Sequence, residues 1–246
     1  MKRLSLLAAM LLIMAGMQTA VAQKMVVTME DDTTVKFIIS KVKNVTFEEA
    51  AVEPDDEHEY VDLALPSGTL WATCNVGANS PEEYGDYFAW GETEPKVEYS
   101  WSTYFDKEGG TLKKYNNNGG KRELDPEDDA ATANWGNLWQ LPSFSQITEL
   151  YNVGYTTTEW TTQNGVNGML ITSQRNGKSI FLPAAGYRLD ISLNNEYNGG
   201  YYWSRSLNTN DGSNAYTLCF NWNIINCYNG SREYGQSVRP VRVKNE

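Results

Sequence analysis

Residues 214–243 read NAYTLCFNWNIINCYNGSREYGQSVRPVRV, and how this stretch folds decides how the chain closes. In its first eight residues polar and apolar side chains alternate. Tyr216, Leu218 and Phe220 fall on one side, and Thr217, Cys219 and Asn221 on the other, the period of a half-buried strand. Val238, Val241 and Val243 read as a closing strand. Between the two lies a run of Asn, Ile, Cys, Tyr and Gly with no period. Trp222 falls just past the first strand, between Asn221 and Asn223, where a hairpin end should be exposed. The irregular half is therefore expected on an outward face. Trp222, Asn223, Ile225, Asn226, Tyr228, Asn229 and Ser231 are its candidate ligand-binding residues. Tyr and Trp supply rigid contact area there, and Asn, Ser and Gly supply adaptable hydrogen bonds.

Working outward, "YVDLAL", "TLWATCNV", "DYFAWGE", "GMLITS", "SIFLPAAGYR" and "GGYYWSRS" read as short strands broken by Gly, Pro and Asn. Residues 93–125 read mostly as loop. Two helices stand out. One opens at Asp125-Pro126-Glu127, with acids in its first turn, and closes at Gly136. The other opens at Ser143, with Gln146 completing a capping box. The expected fold class is α+β, with few helices and many short strands, and no internal repeat of fixed period.

The chain has 246 residues, 20 Lys+Arg against 31 Asp+Glu, and a net charge of −11. That balance argues against nucleic acid, whose phosphates need cationic neutralisation. Residues 1–22 have the layout of a signal peptide: Lys2 and Arg3, an apolar run from Leu4 to Met14, and Ala20-Val21-Ala22 before Gln23. The expected location is outside the cytoplasm: periplasm, cell surface or extracellular space. No later run is long and apolar enough to span a bilayer. Residues 23–49 read as a small β segment, 50–59 as an acidic linker, and 60–246 as the main domain. Cys74, Cys219 and Cys227 match no zinc spacing. A hairpin turning near Asn223 would set Cys219 opposite Cys227. That permits a cross-strand disulfide in an oxidising compartment, and three separate thiols fit the sequence equally well.

Residues 61–92 ("VDLALPSGTLWATCNVGANSPEEYGDYFAWGE"), 128–143 ("DDAATANWGNLWQLPS"), 165–188, 200–206 and 235–242 ("GQSVRPVR") together resemble the Fibrobacter succinogenes major paralogous domain family. The resemblance covers about residues 60–243. It implies a formylglycine-generating-enzyme-like variant of the C-type-lectin-like fold, with Trp71, Trp90, Trp135, Trp139 and Trp203 in its core. Arg205 stands where relatives usually show a small residue, and it joins the candidate binding residues. Some proteins of this lectin type are diversified by retroelements that miscopy template adenines, turning Asn codons into Tyr, Ser, Asp, Ile, Cys or Gly. Asn, Ile, Cys, Tyr and Gly after Asn221 fit that spectrum, whereas Trp222 and Glu233 do not. An ordinary Asn-rich loop is the alternative.

Formylglycine-generating enzymes bind copper through a cysteine pair near the C-terminus, but neither Cys219 nor Cys227 lies in a matching motif. His58, the one histidine, sits in the linker, so a Ser-His-Asp or Cys-His site in the domain is excluded. Asp128 and Asp129 are explained by helix opening. "NTNDGSN" (208–214) has the oxygen-rich composition of a calcium loop without EF-hand spacing, and reads as a polar turn. No metal or cofactor is expected. The expected function is an exported, non-enzymatic module recognising a protein or glycan through its C-terminal hairpin face. The alternatives are a structural cell-surface component or a divergent formylglycine-generating-type enzyme.

Overall fold

The computed structural model describes residues 24–28, 34–38, 58–108 and 111–243. The chain divides into two compact units, Met1–Glu53 and Pro54–Glu246. In the first, β1 (Lys24–Thr28) and β2 (Thr34–Ile38) pair antiparallel, with Lys24 opposite Ile38. The expected signal peptide, much of the small β segment and most of the acidic linker lie outside the described residues.

The second unit opens with β3 (Tyr60–Asp62) and β4 (Thr69–Ala72), followed by β5 (Lys107–Glu108) and β6 (Thr111–Leu112). Two helices follow, α1 (Ala130–Trp135) and α2 (Phe144–Glu149). A meander comes next: β7 (Thr156–Gln163), β8 (Val166–Ser173) and β9 (Ser179–Pro183). The short hairpin β10 (Tyr187–Leu189) and β11 (Ser192–Asn194) leads into β12 (Gly199–Leu207), β13 (Asn214–Asn221) and β14 (Ile225–Ser231). The last strand, β15 (Val241–Val243), pairs with β4, setting Val241 opposite Trp71.

The α+β expectation is overturned. The described residues form a β-rich fold of small antiparallel sheets, with only two six-residue α-helices. The first helix starts four residues later than expected and ends at Gly136 as expected, and the second is short. Asp125 and Pro126 open only a 3-10 turn, Pro126–Asp128. The cap of α1 is Asp129, whose carboxylate accepts from the backbone N–H groups of Ala131 and Thr132, and Gly136, at φ 90°, ends the helix after six residues. The capping box of Ser143 and Gln146 is present in α2. Two further strands arise where apolar alternation is weak: β7, built largely of β-branched Thr, and β14, an edge strand.

One core cluster joins α2, β4, β8, β9, β13 and β15 through Trp71, Ile147, Ile171, Leu182, Leu218, Phe220 and Val241. A second gathers Phe88, Trp90, Leu141, Trp203, Ala215 and Val238. Because β13 gives Leu218 and Phe220 to the first and Ala215 to the second, its sheet is packed on both faces there. Arg239 locks the closing segment. It is fully buried and donates to Asn75 Oδ1 (2.8 Å), Ala72 O (3.1 Å), Thr73 O (2.7 Å) and Phe181 O (3.0 Å), so carbonyl dipoles take the place of a counter-ion.

Candidate functional site

The β13–β14 hairpin turns through two residues, Trp222 and Asn223. Asn221 N–H donates to Ile224 O at 2.9 Å, and Asn221 Oδ1 accepts from the N–H groups of Asn223 (2.9 Å) and Ile224 (3.1 Å). The tip carries Trp222, 74% exposed, in contrast to Trp71, Trp90, Trp139 and Trp203, which are buried, and Trp135, which is half-buried.

Strand alternation then sorts the remaining candidates. Across β12, β13 and β14, Tyr201 aligns with Cys219 and Asn226, and Trp203 with Thr217 and Tyr228. Asn226 and Tyr228 therefore share one side of the sheet, which is buried at Trp203 and Thr217 but exposed along the edge strand β14, where Tyr228 is 44% exposed. Ile225 and Cys227 point the other way and pack against the first core cluster. Asn229 and Ser231 share that second side, Asn229 opposite Tyr216. Arg205 does not join the group. It lies six residues from Gly199, the β12 residue opposite Asn221, or about 20 Å at ~3.3 Å per residue. There its Nε is 3.0 Å from Glu123 Oε2 and its Nη1 2.5 Å from Gln140 Oε1.

Three residues that the sequence reading did not single out complete the outward face. Residues 235–237 run between β10 and β12, through bridges of Arg188 to Gly235 and Tyr202 to Ser237, and this brings three tyrosines together. The Tyr187 ring lies 4.9 Å from Tyr201 and 5.4 Å from Tyr234, nearly parallel to the latter at 19°. Asn195 Nδ2 donates to the Tyr201 hydroxyl at 2.8 Å. Burial raises the phenols of Tyr201 and Tyr234 above their ordinary value, so they remain neutral. The period-two placement of Tyr201 and Trp203 was available from sequence, but the docking of 235–237 was not.

The surroundings offer little acid–base or metal chemistry. His58 stacks on Trp135 at 3.7 Å and 7°. Cys74, Cys219 and Cys227 are free, and burial pushes the Cys219 and Cys227 thiols up to about 12. The carboxylates of Asp125, Glu127 and Asp128 converge, but Lys114 Nζ sits among them at 2.9, 2.9 and 2.6 Å. Asp129 is a buried cap rather than a free carboxylate. In the 208–214 loop, Asp211 already accepts from Ser213 and Asn214. Among the described residues no helix is long and apolar enough to cross a membrane.

With known proteins, the comparison is negative: no family model matches the chain, and neither does any curated protein or solved structure.

Proposed function

We propose that this chain is an exported, non-enzymatic recognition module, of the kind its resemblance to the major paralogous domain family implies, and that a protein or glycan ligand meets the hairpin face. The observation that carries this reading is the exposure of Trp222, Asn226 and Tyr228 at the tip and edge of the hairpin, with Asn226 on the same side as Tyr201 and the tyrosines 187 and 234 packed with it. Aromatic rings held by their neighbours present contact area at low entropic cost, and amides beside them can pair with hydroxyls or peptide groups. The formylglycine-generating-type reading is weakened because Cys219 and Cys227 point to opposite sides of their sheet.

The test is a panel of immobilised glycans and extracellular proteins, probed with the wild-type chain and with Trp222→Ala and Tyr228→Ala. Binding that each variant weakens about tenfold or more supports the reading. Variants that keep full affinity for a bound panel member, at unchanged melting temperature, overturn it. Retroelement diversification is a separate part of the proposal. Sequencing codons 194–234 across a source population would show substitutions clustered at adenines of the outward positions; an invariant segment removes diversification and leaves a fixed binder.

A further inference from the structure

We propose that a cleft beside the β10–β11 hairpin is a second binding site, for a carboxylate joined to an aliphatic body. Tyr187 belongs to the hairpin face, and strand alternation sends the next residue, Arg188, to the opposite side of β10. There Arg188 lines a cleft of about 350 Å³ with Tyr87, Lys96, Val97, Tyr99 and Ile191. Small-molecule sites run from ~300 to 1,000 Å³, so this one suits a ligand of modest size.

The cleft is fixed before any ligand arrives. Tyr87 donates its hydroxyl to Ala185 O, and Tyr99 to Tyr87 O, each at 2.5 Å. The backbone of Arg188 exchanges hydrogen bonds with Gly235 at 2.7 and 3.0 Å. Its guanidinium lies over the Tyr87 ring, 5.1 Å from the centroid. Among the described residues its N–H groups make no side-chain hydrogen bond or ion pair, and a ring contact of this kind does not consume them.

Charge then selects the ligand. Among the described residues no carboxylate lies within ion-pair reach of Arg188, although Asp86 borders the same cleft. The other cation there, Lys96, is already taken: its Nζ is 2.8 Å from Glu92 Oε2 and 3.1 Å from Thr103 O. Arg188 is thus an unpaired guanidinium in a chain of net charge −11. Its planar fork matches a carboxylate through two parallel hydrogen bonds. Val97 and Ile191, 82% and 71% exposed, flank the cleft and can be covered only by apolar atoms to advantage. A hexuronate would set hydroxyls against them; an aliphatic carboxylate would not.

The experiment is titration of the full chain with N-acetyl-leucine, followed by calorimetry and by NMR shifts. N-acetyl-leucinamide and glucuronate serve as the uncharged and the non-aliphatic probes. The expected result is saturable binding with Kd on the order of 1 mM, as a dozen-atom ligand allows. It should weaken about tenfold or more in Arg188→Gln and less in Arg188→Lys. Ile191→Ser should weaken it severalfold, roughly the loss of one apolar contact. Absence of saturation overturns the site. So do equal affinities for the acid and the amide, glucuronate binding as tightly, or unchanged affinity in a folded Arg188→Gln variant. Because the site does not use Trp222 or Tyr228, its failure and that of the hairpin face are read separately.

Discussion

Cys219 and Cys227 lie on opposite faces of one hairpin: Cys219 pairs with Asn226, and Cys227 with Leu218. A turn centred on Asn223 would have set the two cysteines against each other. The turn is instead the pair Trp222-Asn223, and that shift of register by one residue sends their side chains apart. Side chains directed to opposite faces cannot reach disulfide geometry without moving backbone. With both thiols raised to about 12 by burial, neither is a ready thiolate at neutral pH. Mild oxidation of the folded protein should therefore leave both as thiols, with slow alkylation at pH 8. An intramolecular Cys219–Cys227 bridge in non-reducing peptide mass spectra would refute this register.

Burial of Asp129 makes a prediction about pH. Desolvation outweighs the N–H groups of Leu141, Thr132 and Ala131 that favour the carboxylate, and the group is pushed up to about 6. Between the usual carboxylate range and 6, the folded chain holds a proton that the unfolded chain releases. Stability should fall as pH rises through that window, by about 3 kcal/mol for this group. The half-buried Asp125 and the exposed Glu127 and Asp211 act the other way and lower down. Hydrogen bonds from Lys121, Lys114 and Ser213 hold them below their ordinary values, so their contribution is lost as pH falls through the acidic range. Urea titrations from pH 4 to 7 should show the decline, and Asp129→Asn, which keeps a capping oxygen, should flatten it. A variant with the wild-type slope would remove Asp129 as the cause.

What could be read in the sequence follows the range of the signal. The capping box of α2 needs only Ser143 and Gln146, three residues apart, and the alternation of β13 is complete within eight residues. Both are in the structure. Helix extent is a different matter: Gly136 marks the end of α1 locally, but both Asp125 and Asp129 read as possible starts and only Asp129 caps the helix, and α2 runs for only six residues after its capping box. The α+β reading failed there. In the candidate site, the exposure of Trp222 was legible from its neighbours. The division of Ile225 and Cys227 from Asn226 and Tyr228 was not, because it depends on where a two-residue turn sits. Arg205 was assigned because it stands where relatives usually show a small residue, but its partner Glu123 is 82 residues away in sequence, beyond any local pattern. The gathering of Tyr187, Tyr201 and Tyr234 likewise required the non-local docking of residues 235–237.

Asp106 and Arg232 form a buried ion pair, Nη2 to Oδ2 at 2.7 Å. The guanidinium lies 4.7 Å from the Trp90 ring centroid and also donates to Tyr104 Oη, Tyr115 O and Gly212 O. Asp106 accepts in addition from the backbone N–H groups of Lys113, Lys114 and Tyr115. Removing one partner strands a charge in the core, which costs about 3–5 kcal/mol. Asp106→Asn should lose stability on that scale. The double variant Asp106→Asn/Arg232→Met should cost clearly less than the sum of the single changes, because the stranded charge goes with it. Additive losses in denaturant titration would mean that the two side chains act independently.

Trp203 and Trp222 make the sharpest contrast on the hairpin sheet. Trp203 is 0% exposed, donates its indole N–H to Phe88 O at 2.8 Å, and fills the space that Gly230 leaves: a Cβ there would come within 2.8 Å of its ring. Trp203→Ala should cost about 3–5 kcal/mol, through lost burial and the cavity left behind. Gly230→Ala should cost about 1–3 kcal/mol by crowding the same ring. Trp222→Ala removes a side chain with little burial to lose, and should stay within about 0.5 kcal/mol of wild type. Thermal melts of the three variants decide the matter. A stable Trp222→Ala protein makes any accompanying loss of binding a statement about contact with a ligand. A destabilised one would instead mean that Trp222 packs against the fold, and would remove it from the proposed face.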